Sequence, residues 1–257
     1  MNSSPGLLMH FSGKPVMKDI AKRSLDIILA LTGLVLFSPF FVIIALLVKA
    51  GSPGPVFYKG QRVGRYGQYF FQLKFRTMIK DAEHHGSSRT PCNDTRITRT
   101  GKILRRYKLD ELPQLLNVLK GEMSFVGPRP DVPEYTALYS GSELGIMGLR
   151  PGLTDWATLW YRDDGETLGG FPDPDLAYKR YFHHTKVKLQ LAYLNNHTMM
   201  IDACIILFTI IAIFRKNWLP GMLAKQLAQI GEPAVLARHT GINSHSGINL
   251  FVLKEKP

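Results

Sequence analysis

From Ile27 to Val48 the chain runs for 22 residues without a charge. As one straight helix that run would be about 33 Å long, enough to cross a hydrocarbon core. Ser38 and Pro39 fall at its midpoint. A proline there removes an amide donor and clashes with the carbonyl one turn back, so it kinks or breaks the helix. The Ser38 hydroxyl is placed to supply a partner for a group so freed. Lys18, Lys22 and Arg23 precede the run, and Lys49, Lys59 and Arg62 follow it. Basic flanks at both ends favour keeping both on the cytoplasmic side. A re-entrant membrane helix with its break at Ser38 and Pro39 satisfies that bias. An ordinary membrane helix with a tolerated kink is the alternative.

Gly51-Ser52-Pro53-Gly54-Pro55 then marks a turn out of the membrane. Val56-Phe57-Tyr58 and Tyr69-Phe70-Phe71-Gln72-Leu73 are rich in β-formers, and Gly64-Arg65-Tyr66-Gly67 between them predicts a hairpin. Lys74 and Arg76 follow, two apart, so strand alternation would put them on one face. After a polar loop from Asp81 to Asp94, a basic helix is expected over Thr98 to Lys108. A second, short helix is expected after Asp110, with Asp110 as N-cap, Pro113 in the first turn and Gly121 at the stop. Thr198 to Phe214 is apolar except for Asp202 and short for a span, which predicts an interfacial or packed helix with Asp202 turned inward.

These elements divide the chain into a leader (1–17), a membrane helix-break-helix (18–50), a catalytic domain (51–197), an interfacial or packed helix (198–220) and a tail of no readable chemistry (221–257). The expected fold class is α+β: a helix-rich cytoplasmic domain with a small β-hairpin, anchored by an N-terminal re-entrant membrane helix and interfacial helices.

Composition narrows the partners. With 45% hydrophobic and 20% charged residues the chain is neither disordered nor a bundle of spans. Its 32 basic against 20 acidic residues give +12, an excess that suits nucleic acid, an anionic membrane surface or a phosphate-rich substrate. Cys92 and Cys204 lie far apart, with neither a CxxC nor a histidine at metal spacing, which points away from a disulfide framework and a zinc site. The His84-His85 and His183-His184 doublets have no partner acids at ligand spacing and read as surface residues. No cleavable secretory signal is legible, so the apolar run is expected to be retained.

The sharpest chemical constellation is Asp110-Glu111 among Arg99, Lys102, Arg105, Arg106 and Lys108. Clustered cations at a helix start favour phosphates. Two acids in that setting could hold a hard cation such as Mg2+, or one could attack phosphorus while the other manages a proton. A capping aspartate beside a solvated glutamate is the plain alternative. Gly127-Pro128-Arg129-Pro130 stiffens the backbone around Arg129 and suits a bidentate phosphate grip, while Lys74, Arg76 and Arg62 are further candidates to neutralise a diphosphate. A glycosidase would also use two carboxylates, but about 5 Å or more apart across the scissile bond, and sequence neighbours are poorly placed for that. A non-catalytic, membrane-tethered basic protein gripping anionic lipid or nucleic acid is the rival of another class.

Several motifs occur together, in order. They are Lys22-Arg23-Ser24-Leu25-Asp26, the Ser38-Pro39 break, Gly54-Pro55-Val56-Phe57, Gln61-Arg62-Val63-Gly64 and Lys74-Phe75-Arg76-Thr77-Met78. Asp94-Thr95-Arg96-Ile97-Thr98, Leu109-Asp110-Glu111-Leu112-Pro113-Gln114-Leu115 and Asn117 to Ser124 follow. Val126-Gly127-Pro128-Arg129-Pro130 and Arg150-Pro151-Gly152-Leu153-Thr154 complete the series. The chain thereby resembles the bacterial sugar transferases, the monotopic polyprenyl-phosphate phosphoglycosyl transferases, in their minimal catalytic form. The likeness covers roughly residues 18 to 215.

The resemblance implies a re-entrant helix with the domain on the cytoplasmic face of the bacterial inner (plasma) membrane. It implies that Asp110 is the nucleophile toward the phosphate next to the sugar of a UDP-sugar, releasing UMP, and that undecaprenyl phosphate then takes the phosphosugar. Glu111 would assist that phosphate or help Asp110 place Mg2+, and Arg105, Lys74 and Arg129 would hold phosphates. Membrane lipid is an expected partner and nucleic acid is not; a homodimer is an open option. Asp155 and Thr158 stand where relatives usually have Gly and Gln, and Gln190 where they have an acid, which bears on the nucleotide or sugar contacts.

Overall fold

The structure is a computed structural model and describes residues 17–82, 90–91, 94–162, 167–214 and 219–231. His84, His85, Cys92, nearly all of the expected leader and most of the expected tail lie outside the described residues. The described residues form two compact units. One is built from residues up to 80 with 98–153, the other from 81–97 and the chain from 154 onward.

In the first unit a single helix, α1 (Met17–Gly51), holds the apolar run, and it is long and apolar enough to cross a membrane. The break expected at Ser38 and Pro39 does not interrupt it: the helix continues through Pro39. Proline at 39 leaves the carbonyl of Val35 without its amide donor, and the Ser38 hydroxyl donates to that carbonyl at 2.8 Å. The hairpin follows as β1 (Phe57–Val63) and β2 (Tyr69–Phe75), antiparallel, with Phe57 opposite Phe75 and Val63 opposite Tyr69. Helix α2 (Arg99–Arg106) is capped by Thr98, whose hydroxyl accepts from the Gly101 amide at 2.9 Å.

The next helix, α3 (Gln114–Lys120), begins three residues later than an Asp110 cap requires. Leu109–Glu111 instead forms a separate 3-10 turn, entered through Lys108 in the left-handed region (φ 58°). Pro113, with φ already at −62°, occupies the cap position, and Gly121 (φ 83°) ends the helix as expected. Strand β3 (Ser124–Val126), the short helix α4 (Pro133–Thr136), a 3-10 stretch over Gly141–Gly148 and β4 (Gly152–Thr154) complete this part of the chain, β3 pairing with β4.

Both limbs of α1 pack on this unit. Before Pro39, Arg23 donates to the Val118 and Leu119 carbonyls at 2.6 and 2.8 Å. These belong to the last turn of α3, where carbonyls lack intrahelical donors. Lys22 donates to the Val126 carbonyl at 2.9 Å. Buried Asp26 accepts from the Ser124 hydroxyl and the Phe125 amide, at 3.1 and 3.0 Å. Ala30 joins Phe70, Val118 and Met123 in one core cluster. After Pro39, Ile44 and Val48 join Phe75 and Leu104 in another, with Phe41 alongside. Val35, Leu36, Phe40, Val42, Ile43 and Leu46 are left exposed, an apolar surface of the kind a bilayer covers.

The second unit contains α5 (Trp156–Trp160), then α6 (Pro174–Ala177), which passes through a π turn into α7 (His183–Asn196), followed by α8 (Met199–Phe214) and α9 (Leu219–Gln229). Asp202 is indeed turned inward, accepting from the buried Tyr193 hydroxyl at 2.6 Å. Helix α9 lies mostly in the expected tail. Its Leu219, Leu223 and Leu227 are buried, and Gln226 accepts from the Trp156 indole at 3.2 Å.

Candidate active site

The corner at 109–111 is held by its neighbours. Leu109 and Leu112 pack against the Ile44–Val48–Phe75–Leu104 cluster, so the turn between them is fixed at both ends. Lys74, in the last turn-facing part of β2, donates to Glu111 Oε1 at 2.9 Å. Arg129 bonds the same oxygen with one nitrogen and the Leu153 carbonyl, at 2.9 Å, with another.

Close backbone contact sets the aim of Arg129. A Cβ on Gly127 would lie 2.4 Å from the Arg150 carbonyl oxygen, and one on Gly152 would lie 2.2 Å from the Gly127 nitrogen. Only glycines let these segments meet, and the Gly152 amide then donates to the Pro128 carbonyl at 3.0 Å. Arg105 is positioned in a similar way. Gly101 of α2 sits so near Thr77 that a Cβ would come within 1.9 Å of the Thr77 oxygen. The Thr98 amide donates to that same oxygen at 3.0 Å, and Arg105 Nε donates to the Thr77 hydroxyl at 2.9 Å.

The two adjacent acids thus have opposite surroundings. Glu111 is gripped by Lys74 and Arg129. Burial alone would raise its pKa, but Arg129, Lys74 and Lys108 outweigh that and hold it well below the usual 4.5. Asp110 is buried, and its Oδ1 has no hydrogen-bond partner. Burial first and the Glu111 charge second push its pKa above the usual 3.8, against the pull of Lys74, Lys108 and Arg105. Lys74 itself is lowered, chiefly by burial and against the Glu111 charge. An oxygen with no bond to break, within a ring of cations, suits attack on an anionic phosphorus centre.

The family profile of bacterial sugar transferases matches residues 17–216. The chain belongs to that family. Among its relatives, the exopolysaccharide production protein ExoY of Rhizobium meliloti is 39% identical over 228 residues, 82% of this chain and 93% of the relative. The UDP-N-acetylgalactosamine-undecaprenyl-phosphate N-acetylgalactosaminephosphotransferase of Aeromonas hydrophila is 35% identical over 74% of this chain. The UDP-glucose:undecaprenyl-phosphate glucose-1-phosphate transferase of Escherichia coli is 34% identical over 82%. The match spans 42% and 44% of those two longer proteins.

In this transferase the structure brings Asp110, Glu111, Lys74 and Arg129 together, with Arg105 beside them through Thr77. It does not bring Arg76. Strand β2 ends at Phe75, so the alternation that was to align Arg76 with Lys74 stops one residue short. The buried Arg76 guanidinium instead donates to the Ser52 carbonyl at 2.7 Å and to the Pro53 carbonyl, closing the turn after α1. Arg62 stands opposite Phe70, about 13 Å along the hairpin from Lys74, and donates to the Gln61 carbonyl at 2.7 Å.

Sequence reasoning missed Thr77, Gln72, Gln114 and Asn117. Gln72 donates to Gln114 Oε1 at 3.0 Å; Asn117 accepts from the Leu73 amide and donates to the Phe71 carbonyl, at 3.0 and 2.8 Å, tying α3 to β2 beneath Lys74. Their signal was polar residues on the inward positions of a strand and a helix.

The three departures from the family pattern come together in the second unit. The Asp155 carboxylate accepts from the Thr158 amide and hydroxyl, both at 2.6 Å, and from Gln190 at 3.5 Å. Asp155 and Gln190 are fully buried, so this cluster caps α5 and ties it to α7.

Proposed function

We propose that the transferase moves sugar-1-phosphate from a UDP-sugar to undecaprenyl phosphate through a covalent intermediate on Asp110. The observation that carries this is the unpartnered Oδ1 of a buried carboxylate inside a ring of cations. Oδ1 attacks the phosphorus that bears the sugar. The bond from that phosphorus to the bridging oxygen breaks, and UMP leaves with the electron pair. An oxygen of undecaprenyl phosphate then attacks the same phosphorus, and the Asp110 carboxylate is released. Ping-pong kinetics follow.

Lys74 and Arg129 offset the charge that builds on the phosphates, and Arg105 adds to the field, so the chain supplies positioning and electrostatics more than proton transfer. Glu111, locked by two cations, orients them and stays ionised. Mg2+ fits this donor set only in its usual phosphate-site manner, with one or two carboxylates and the rest of its shell from phosphate and water. No group of three or more His, Cys, Asp or Glu capable of holding a metal lies among the described residues. The carboxylates of Asp110 and Glu111 would hold it, the Asp110 oxygen that attacks staying off the metal, and it would neutralise diphosphate charge.

The relatives' names support undecaprenyl phosphate as acceptor, UDP-sugars as donors and exopolysaccharide production as the setting; the reaction would be the first membrane step of a surface glycan or glycoconjugate. A re-entrant α1 is supported by its two limbs. Lys22, Arg23 and Asp26 before Pro39, and Ile44 and Val48 after it, pack on one and the same unit. With both ends on one side of the inner membrane, that unit faces the cytoplasm, where UDP-sugars are made.

The test is Asp110→Asn. UDP-sugar given without acceptor should leave the parent protein heavier by one phosphosugar, and the variant unmodified and unable to release UMP. Turnover near the parent's rate in Asp110→Asn would end the covalent proposal, and a non-catalytic lipid-binding protein would be indifferent to the substitution.

A further inference from the structure

We propose that the outward face of α2 is a docking surface for anionic phospholipid headgroups, pressed against the bilayer beside the second limb of α1. This rests on the membrane anchoring of α1 argued above and goes beyond it.

At about 100° per residue, the five exposed residues from Arg99 to the capping Tyr107 fall on one arc: Lys102, Arg106, Arg99, Ile103 and Tyr107, in that angular order. Arg105, the half-buried Thr100 and the buried Gly101 and Leu104 take the rest of the circumference. Leu104 packs on Ile44 and Val48 of α1, and Gly51 at the end of α1 sits against Thr100. Past Leu104 and Thr100 on the wheel come Tyr107 and Ile103, 55% and 58% exposed, and beyond them the three cations. Apolar side chains therefore border the membrane helix, and positive charge lies on the far side of them.

That order is what an interfacial helix needs. Ile103 and Tyr107 can enter the headgroup boundary while Arg99, Lys102 and Arg106 meet lipid phosphates. Among the described residues, none of these cations forms a salt bridge; Arg106 lies 5.8 Å over the Tyr107 ring. Exposed apolar residues that continue a larger apolar surface, rather than standing alone, mark an interaction site. The neighbouring α1 positions Val42, Ile43, Leu46 and Leu47 are exposed and apolar, so the surface continues that of the anchor. The side of α2 away from the lipid carries Arg105 to Thr77, and the site's orientation to the membrane would follow from this contact.

The experiment uses the full chain with Cys92→Ser and Cys204→Ser, labelled at Ile103→Cys with an environment-sensitive fluorophore. It is reconstituted in phosphatidylcholine vesicles with or without phosphatidylglycerol. With phosphatidylglycerol, emission should shift to the blue and be quenched by brominated lipid, and added salt should reverse both. Each cation near an anionic surface contributes roughly fivefold in affinity. Arg99→Gln, Lys102→Gln and Arg106→Gln together should weaken the contact by on the order of a hundredfold and abolish the shift. Emission that is the same in both lipids, or a triple variant that keeps the shift, overturns the proposal while leaving the anchor intact. Protein that floats with neither vesicle overturns both. Salt reversal is read on the labelled protein with Arg99, Lys102 and Arg106 all in place, so misfolding of the triple variant cannot decide the result.

Discussion

Two buried carboxylates, one in each unit, show how differently an aspartate can be used. Asp155 is enclosed by donors: an amide, a hydroxyl and a carboxamide all point at it. Asp110 is almost as buried, yet its Oδ1 meets no donor at all. Burying an ionised oxygen without a hydrogen bond is costly, and nothing in the packing of the 109–111 turn requires it. The cost is tolerated where a ligand is to supply the missing partner. Satisfied burial at 155 fits a structural acid, and unsatisfied burial at 110 is what supports the proposed reactive role.

The comparison breaks most visibly if the two sites respond alike to loss of charge. Asp110→Asn should lower UMP release by about 10^4-fold or more, the scale seen when a nucleophile is removed. It should leave the melting temperature unchanged or raise it, since no hydrogen bond to Oδ1 is lost and an uncompensated buried charge disappears. A melting temperature well below the parent's would mean that Asp110 is structural after all. Next in size is Arg129→Lys. A lysine cannot reach Glu111 and the Leu153 carbonyl together, so the rate should fall on the order of 10^2-fold, with little loss of stability. A parent-like rate would remove Arg129 from the site.

Much of this was legible in the residues. The hairpin, the basic helix after Thr98, the inward Asp202 and the Gly121 stop follow from alternation, capping and periodicity, which act over a few neighbours. The Ser38–Val35 bond was foreseeable because proline names the carbonyl it strands. What escaped were long-range commitments. Asp110 reads as an N-cap by every local rule, but Pro113 competes for the start of α3 and wins, which leaves the 110 carboxylate free. Arg76 reads as a partner of Lys74 until the strand ends beneath it and the Ser52 and Pro53 carbonyls claim it. Helix α9 carries Leu219, Leu223 and Leu227 at helical spacing, a signal outweighed by the glycine- and serine-bearing segment that follows.

At the second site the expected effect is smaller and of the other kind. Asp155→Ala removes the cap of α5 and strands the Thr158 amide and hydroxyl and the Gln190 carboxamide inside the core. A loss of about 2 kcal/mol is expected, read as a lower denaturation midpoint with an unchanged slope. Activity per folded molecule should hold. A drop in turnover at full stability would move Asp155 from architecture into the chemistry.

The finest distinction lies in pH, where Asp110 and Glu111 should part company although they are adjacent. The proposed attack needs Asp110 ionised, and burial beside Glu111 raises its pKa above 3.8, so UMP release should fall along an acid limb lying above that value. Glu111, held well below 4.5, stays charged across the same window and adds no second limb there. Stability separates them by sign. Because the folded state binds the Asp110 proton more tightly than the unfolded chain, stability is lost as pH rises from the unfolded value through the raised folded one. Glu111 does the reverse: its contribution is present above its unfolded value and lost as pH falls through its depressed folded one. Denaturation midpoints across mildly acidic pH should therefore diverge between the parent and Asp110→Asn, the variant gaining on the parent as pH rises. Parallel curves would show that the Asp110 carboxylate is no harder to ionise in the fold than in water, and the contrast with Asp155 would lose its physical basis.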